Sequence, residues 1–255
     1  GEFAIIDIYI NSGERGCGAM ALRKGSIEIK NRILSVCVRL FLEQGYHNTP
    51  ISQIINEADI SASTFQNIFH TKDGVLTELI EFMFSGQFGA ARSIAGETPS
   101  PVYTYAAETA IQLVLTELNE NLRDVYIEAY TVPATAEYIY QHTAVELYKI
   151  FGQYFPGYSE SDFYKLEIGT AGIMRGFMAK KCDIHFTLAQ KLECFLQISL
   201  RAFKVPQEEQ DRILAYIKSI DICAVANGVM QKLFAALEMR FDFTLRQYNQ
   251  GTMLF

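Results

Sequence analysis

Residues 49–69 read TPISQIINEADISASTFQNIF. Two short helices are predicted here, joined by Ala58-Asp59-Ile60, a link short enough to force a sharp helix-turn-helix corner. Thr49 before Pro50 has the form of a hydroxyl cap followed by proline at the first helical position. Ile51, Ile54, Ile55 and Ala58 give the first helix an inward face, Ile60 plugs the corner, and Phe65, Ile68 and Phe69 anchor the second helix. That leaves Ala62, Ser63, Thr64, Gln66 and Asn67 for the outer surface. Such small and amide side chains suit close approach to a groove and hydrogen bonds to base edges and phosphates. Ser61 is read as the cap of the second helix, leaving backbone N–H groups free to meet a phosphate.

Outward from this stretch the pattern stays helical. Ile33, Cys37, Leu40 and Phe41 recur at helical spacing with Lys30, Arg32, Arg39 and Glu43 on the wet side, and Gly45 stops that helix. Thr71-Lys72-Asp73 forms a third cap with an acid in its first turn. The helix it opens carries Val75, Leu76, Leu79, Ile80, Met83 and Phe84 and is predicted to end near Phe88. Later prolines fall between helical patterns, placing helices near 102–118, 121–131, 134–154, 161–181, 187–203, 207–219 and 221–241. No alternating run of useful length follows residue 20, so the fold class is all-α.

These residues carry a family resemblance. RLFLEQGY, TPISQIINEADIS and STFQNIFHTKDGVL, with landmarks Phe41, Gly45-Tyr46, Thr49, Ile54, Ala58, Ser61, Thr64-Phe65, Phe69 and Lys72, resemble the N-terminal DNA-binding domain of TetR-family transcriptional regulators. The resemblance covers three helices and the start of a fourth. It implies that Thr49 caps the first motif helix and touches a phosphate. It also implies that Ala62, Ser63, Thr64, Gln66 and Asn67 face the major groove, and that Lys72 contacts the phosphate backbone. It divides the chain into a helix-turn-helix domain at 21–88 and a larger helical ligand-binding and dimerisation domain at 89–255.

Some positions depart from the family pattern. Asp59 and Ser63 stand where glycine is common, Gln66 where a tyrosine is usual, and Ile68 replaces a polar or aromatic residue. No Lys or Arg lies between Gly45 and Thr71, and residues 21–88 hold six basic against seven acidic side chains. Counterion release on DNA would have to come from Arg23, Lys24, Lys30, Arg32, Arg39 and Lys72. The basic cluster between Arg23 and Arg39 reads either as an arm reaching DNA or as a solvated helix start.

Composition bounds the rest. The 255 residues are 49% hydrophobic and 20% charged with a net charge of -7, and the mean hydropathy is +0.08. This is a globular chain rather than a disordered one, and no apolar run is long enough for a membrane span. Five scattered cysteines form no CxxC pair, which fits reduced thiols in a cytoplasmic protein. The four histidines make no metal motif and no phosphate-cradling or nucleophile-elbow motif occurs, so no enzyme, metal or cofactor is expected. Residues 1–20 lack helical period and are read as a tag, leader or disordered arm, with Met20 as a natural start.

Within 89–255 the aromatic residues suit an apolar cavity edged by hydroxyls. Phe88, Tyr126, Tyr130, Tyr138, His142, Met174, Arg175 and Phe177 are the candidate ligand contacts, with ordinary core packing as the alternative. Gly169, Gly172 and Gly176 share one helix face, and Leu188, Leu192, Phe195 and Leu196 share a face of the next helix. Together they form either a dimer interface or an intramolecular contact. The helix pair near 207–241 either enlarges that interface or covers the cavity. The resemblance then implies a homodimeric repressor that releases an operator in double-stranded DNA when a small apolar or aromatic effector binds. The other reading is a helical small-molecule-binding protein that has lost sequence-specific DNA binding.

Overall fold

The computed structural model describes residues 17–96 and 100–237, without the side chains of 17–24 and 85–88. The described residues form eleven α-helices and no strand: α1 (Cys17–Gln44), α2 (Ile51–Glu57), α3 (Ala62–Phe69), α4 (Lys72–Ala95), α5 (Val102–Leu118), α6 (Glu120–Ala129), α7 (Pro133–Phe151), α8 (Glu160–Ala179), α9 (Leu188–Ala202), α10 (Gln207–Ser219) and α11 (Ile222–Ala236). The all-α expectation is met.

The second helix of the body, α5, decides the architecture. Its sequence, VYTYAAETAIQLVLTEL, is apolar almost all the way round, and every residue except Thr104 is buried. A helix of that kind is stable only inside a shell of others. Here α4, α6, α9, α10 and α11 all pack on it, and α8 packs on α7 as a second layer. The helix pair α10–α11 therefore sits on α4 and α5. No single helix among the described residues is long and apolar enough to cross a membrane.

Helix boundaries follow local chemistry. Ser61, Thr71, Asn119, Thr187 and Asp221 each accept a backbone N–H from the first turn that follows them, which satisfies donors the helix itself cannot. Besides shifts of a few residues at other helix ends, three boundaries depart from the sequence expectation. The first helix is already formed at Cys17, inside the stretch set aside as a leader; residues 1–16 lie outside the described residues. Pro50 occupies the cap position of α2 rather than its first turn. And α4 continues to Ala95, because Ala91 and Ala95 bury against the body and keep the helix going past Gly89; it stops at Gly96, whose φ is 49°.

Between α5, α6 and α9 a small ionic cluster is sealed from solvent. Glu117 accepts from Lys191 and from Arg123 (3.2 Å), with side-chain exposures of 3%, 0% and 5% respectively. The Cys182 backbone N–H also donates to Glu117, at 3.2 Å. Such a cluster fixes the relative register of three helices, since removing any member strands a buried charge.

Candidate functional site

The head is built from α1 to α3 and the first turns of α4. Ile33, Cys37, Leu40, Phe41, Ile54, Phe65 and Leu76 are almost wholly buried in its core. The corner between α2 and α3 is a Schellman turn: the Ile60 N–H reaches the Ile55 carbonyl and the Asp59 N–H reaches the Asn56 carbonyl, both at 3.2 Å. Asp59 takes the left-handed position with φ 48°, a conformation that glycine adopts freely and aspartate tolerates at some cost.

Ser61 then accepts the Thr64 N–H at 3.1 Å and its hydroxyl contacts those of Ser63 and Thr64, each at 2.8 Å. Phe65 and Phe69, with ring centroids 5.9 Å apart, press α3 onto the core. Ala62, Ser63, Gln66 and Asn67 are exposed, and Thr64 is half-buried beside its cap. The polar surface expected of this helix is thus presented outward, on a rigid support.

The flanking residues behave differently from the expectation. Thr49 is fully buried: its hydroxyl donates back to the Gly45 carbonyl at 2.8 Å and accepts from Gln44 at 3.2 Å. It neither caps α2 nor offers its side chain to a phosphate, because the preceding turn already takes its hydrogen bonds. Lys72 is half-buried. It donates to the carbonyls of Tyr46 (2.9 Å) and Thr49 (3.1 Å) and lies 4.2 Å from the Tyr46 ring centroid. Burial lowers its pKa from the usual lysine value. The Tyr46 hydroxyl donates to Asp73 at 2.6 Å, so Lys72, Tyr46 and Asp73 lock the start of α4 to the loop before α2.

The basic cluster on α1 is also engaged within the protein. Lys30 pairs with Glu78, Arg39 with Glu57 and Glu43, and Arg32 reaches the Asp59 carbonyl at 3.4 Å. The Arg39 pairing holds the Glu57 carboxyl below its ordinary pKa. It also cancels one of the two negative charges on the motif. The side chains of Arg23 and Lys24 lie outside the described residues.

In the body a cavity of about 30 Å³ opens between α4, α5, α6, α7, α8 and α9. Of the eight residues expected to line it, Tyr130 and Met174 do. Tyr126 is fully buried core. Tyr138 and His142 stack on each other at 3.8 Å on the outside of α7, with the His142 ring against the Tyr138 carbonyl. Arg175 is exposed and donates to Thr131 at 3.2 Å. Phe177 packs on Phe186 and Phe195. Phe88, as a side chain, lies outside the described residues.

Beyond Tyr105, the residues that give the cavity its character are not aromatic: Glu108, Gln112, Glu167 and Thr170. A signal was present, since Glu108 and Gln112 interrupt an otherwise apolar helix one turn apart. Gln112 donates to Glu108, the Tyr130 hydroxyl reaches Gln112 at 3.4 Å, and Thr170 donates to Glu167 at 2.6 Å. Burial drives the Glu108 carboxyl up to about 7 and the Glu167 carboxyl up to about 8.

The expected interface splits in two. Gly169, Gly172 and Gly176 are exposed, and a Cβ added at any of them would meet nothing within 4 Å. Leu188, Leu192, Phe195 and Leu196 are instead buried within the chain, where α9 packs on α5 and α8, and Phe195 lines the cavity. They are not available to a partner. The outward faces of α8 and α9 carry Ile168 and Ile198, 47% and 44% exposed, with Cys194.

The fold and the outward polar helix define a helix-turn-helix head on a helical body. The family described as "Bacterial regulatory proteins, tetR family" matches residues 33–79, which run from the middle of α1 into α4. A protein of Bacillus subtilis (strain 168), the uncharacterized HTH-type transcriptional regulator YuxN, is 27% identical over 95 residues. That match covers 37% of this chain and 31% of the relative, less than a third of its length. No solved structure matches the chain. The likeness to TetR-family transcriptional regulators is thus carried by the head, residues 33–79, and the distant relative agrees with it.

Proposed function

We propose that the protein is a homodimeric repressor whose two α3 helices enter successive major grooves of a near-palindromic operator, roughly 34–36 Å apart, and that leaves DNA when a small molecule fills the body cavity. The observation that carries this is the outward row Ala62, Ser63, Gln66 and Asn67, held by buried Phe65 and Phe69 within a TetR-family domain. Ser61 and Thr64 border the same surface, and Lys72 keeps an N–H beyond the two it donates internally, for a phosphate. Thr49 is excluded from that set by its burial.

The dimer contact is assigned to the outward face of α8 and α9, where Gly169, Gly172 and Gly176 allow close approach and Ile168 and Ile198 supply apolar area. Communication between cavity and head runs along α6. Tyr130 at its C-terminal end lines the cavity, Asn121 donates to the Leu42 carbonyl at 2.8 Å, and Glu128 pairs with His47 at 3.1 Å. A ligand that favours a shifted α6 therefore moves the end of α1 and with it the spacing of the two heads.

Selection of bound duplexes from a randomised pool tests the reading. Enrichment of an inverted repeat with half-sites one helical turn apart supports it. No enrichment, together with no retardation of duplex DNA at low salt, favours a helical small-molecule-binding protein that has lost sequence-specific DNA binding. One observation speaks for that second reading: Lys30, Arg32, Arg39 and Lys72 are all engaged inside the protein, leaving few free cations near α3 among the described residues.

A further inference from the structure

The cavity is acidic without a counter-charge. Fifteen residues line it, and among them are three carboxyl side chains and two phenols but no Lys, Arg or His. Glu108 and Glu167 are 3% and 5% exposed. Each is hydrogen-bonded to a neutral neighbour one turn along its own helix, Gln112 and Thr170. No ion pair among the described residues reaches either one. The third carboxyl, Glu146 on α7, is spoken for by Lys149 at 2.8 Å on the outer side. The contrast with the nearby Glu117 is instructive: a glutamate just as buried, on the same helix, is matched by two cations.

Buried carboxyls with no cation are costly when ionised. The protein meets that cost by holding protons on them to higher pH: burial raises both, and repulsion between the two raises Glu167 further. The titratable groups facing them from the other walls, Tyr105, Tyr130 and Glu146, add no positive charge that would lower them. Around the carboxyls stand Phe84, Phe195, Tyr105 and Tyr130, whose rings accept both an apolar body and a cation.

We infer that this cavity binds an organic ammonium ion, a protonated primary or secondary amine on an aromatic or alkyl body, with its N–H groups directed at Glu108, Glu167 and the Gln112 amide oxygen. The inference rests on reading the cavity as the effector site and names the effector's charge. At about 30 Å³ the cavity admits the ammonium head and little more. Seating the body requires α7 and α8 to part from α5, so the occupied state differs from the unoccupied one, as an effector requires. On binding, a carboxyl proton passes to solvent and the carboxylate left behind is neutralised by the ammonium.

The experiment is calorimetric titration of the full chain with 2-phenylethylammonium and with its neutral analogue 2-phenylethanol, near pH 6.5 in two buffers of different ionisation enthalpy. The ammonium should bind roughly tenfold to a hundredfold more tightly than the alcohol, the range expected for charge-assisted hydrogen bonds, with proton release seen as a buffer-dependent enthalpy. The Glu108→Gln/Glu167→Gln variant, shown folded by its thermal unfolding, should lose that preference. Equal affinity for alcohol and ammonium, absence of ammonium binding, or an unchanged preference in the variant overturns the inference. Ammonium binding that leaves duplex affinity untouched keeps the cation site and removes its role as effector.

Discussion

Replacing Lys72 by methionine separates the two jobs this residue is given, as a tie within the head and as a phosphate contact. Methionine keeps the length and apolar stem of the lysine, so packing against the Tyr46 ring survives while the ammonium is lost. The Tyr46 carbonyl still accepts the Thr49 N–H at 3.2 Å, so the burden falls on the carbonyl of the fully buried Thr49. An unsatisfied buried acceptor costs about 1–3 kcal/mol, and the ammonium over the Tyr46 ring adds about 0.5–1 kcal/mol. Because Lys72 is half-buried and water can replace part of its contacts, the sum is set at about 2 kcal/mol. Urea unfolding followed by far-UV circular dichroism reads this as a midpoint shift of about 0.7–1 M for a slope of roughly 2–3 kcal/mol/M. In parallel, the slope of log K against log salt for a random duplex should fall by about 0.9, one phosphate contact. An unchanged urea midpoint would refute the structural tie, and an unchanged salt slope would refute the phosphate contact.

Other expectations follow from single features. Asp59→Gly should raise stability by about 0.5–1 kcal/mol, because glycine holds the left-handed corner without strain; a fall in thermal midpoint would contradict the Schellman geometry. Between about pH 4.5 and 8 stability should decline as pH rises. The folded state retains protons on Glu108 and Glu167 up to about 7 and 8, whereas the unfolded chain releases them near the ordinary glutamate value of about 4.3. Thermal midpoints across that range should show the decline, and Glu108→Gln/Glu167→Gln should flatten it; a midpoint that climbs from pH 6 to 8 would be inconsistent. Lys191→Met should cost about 3–5 kcal/mol by leaving Glu117 partly unmatched in a sealed site, measurable by urea unfolding, with a loss under about 1 kcal/mol counting against the cluster's role.

Punctuation by proline, glycine and hydroxyl caps made the helices readable in the sequence, and the corner at 58–61 was readable because apolar anchors, Ile54 on one side and Phe65 and Phe69 on the other, flank a very short link. What escaped were partners rather than elements. Thr49 before Pro50 has the look of a cap, yet its hydroxyl turns back four residues to Gly45. Lys72 looks like a free cation, yet two carbonyls lie within reach once the chain folds. Spacing put Leu188, Leu192, Phe195 and Leu196 on one face correctly, but it does not say whether that face meets the same chain or another. The aromatic residues were weak guides to the cavity because rings such as Tyr126 fill core with no void beside them. Glu108 and Gln112 inside the apolar helix 102–118 were the better guide, since burying polar groups is repaid only where partners or a polar space meet them.

The central claim is that the outward face of α3 reads base edges. Its most direct test is titration of a selected operator duplex and a random duplex at one fixed salt concentration, with the native chain and with Thr64→Ala/Gln66→Ala. The variant should keep its fold, oligomeric state and affinity for random duplex, and lose roughly tenfold or more on the operator, as loss of base contacts predicts. Operator affinity retained in full by the variant would contradict the claim.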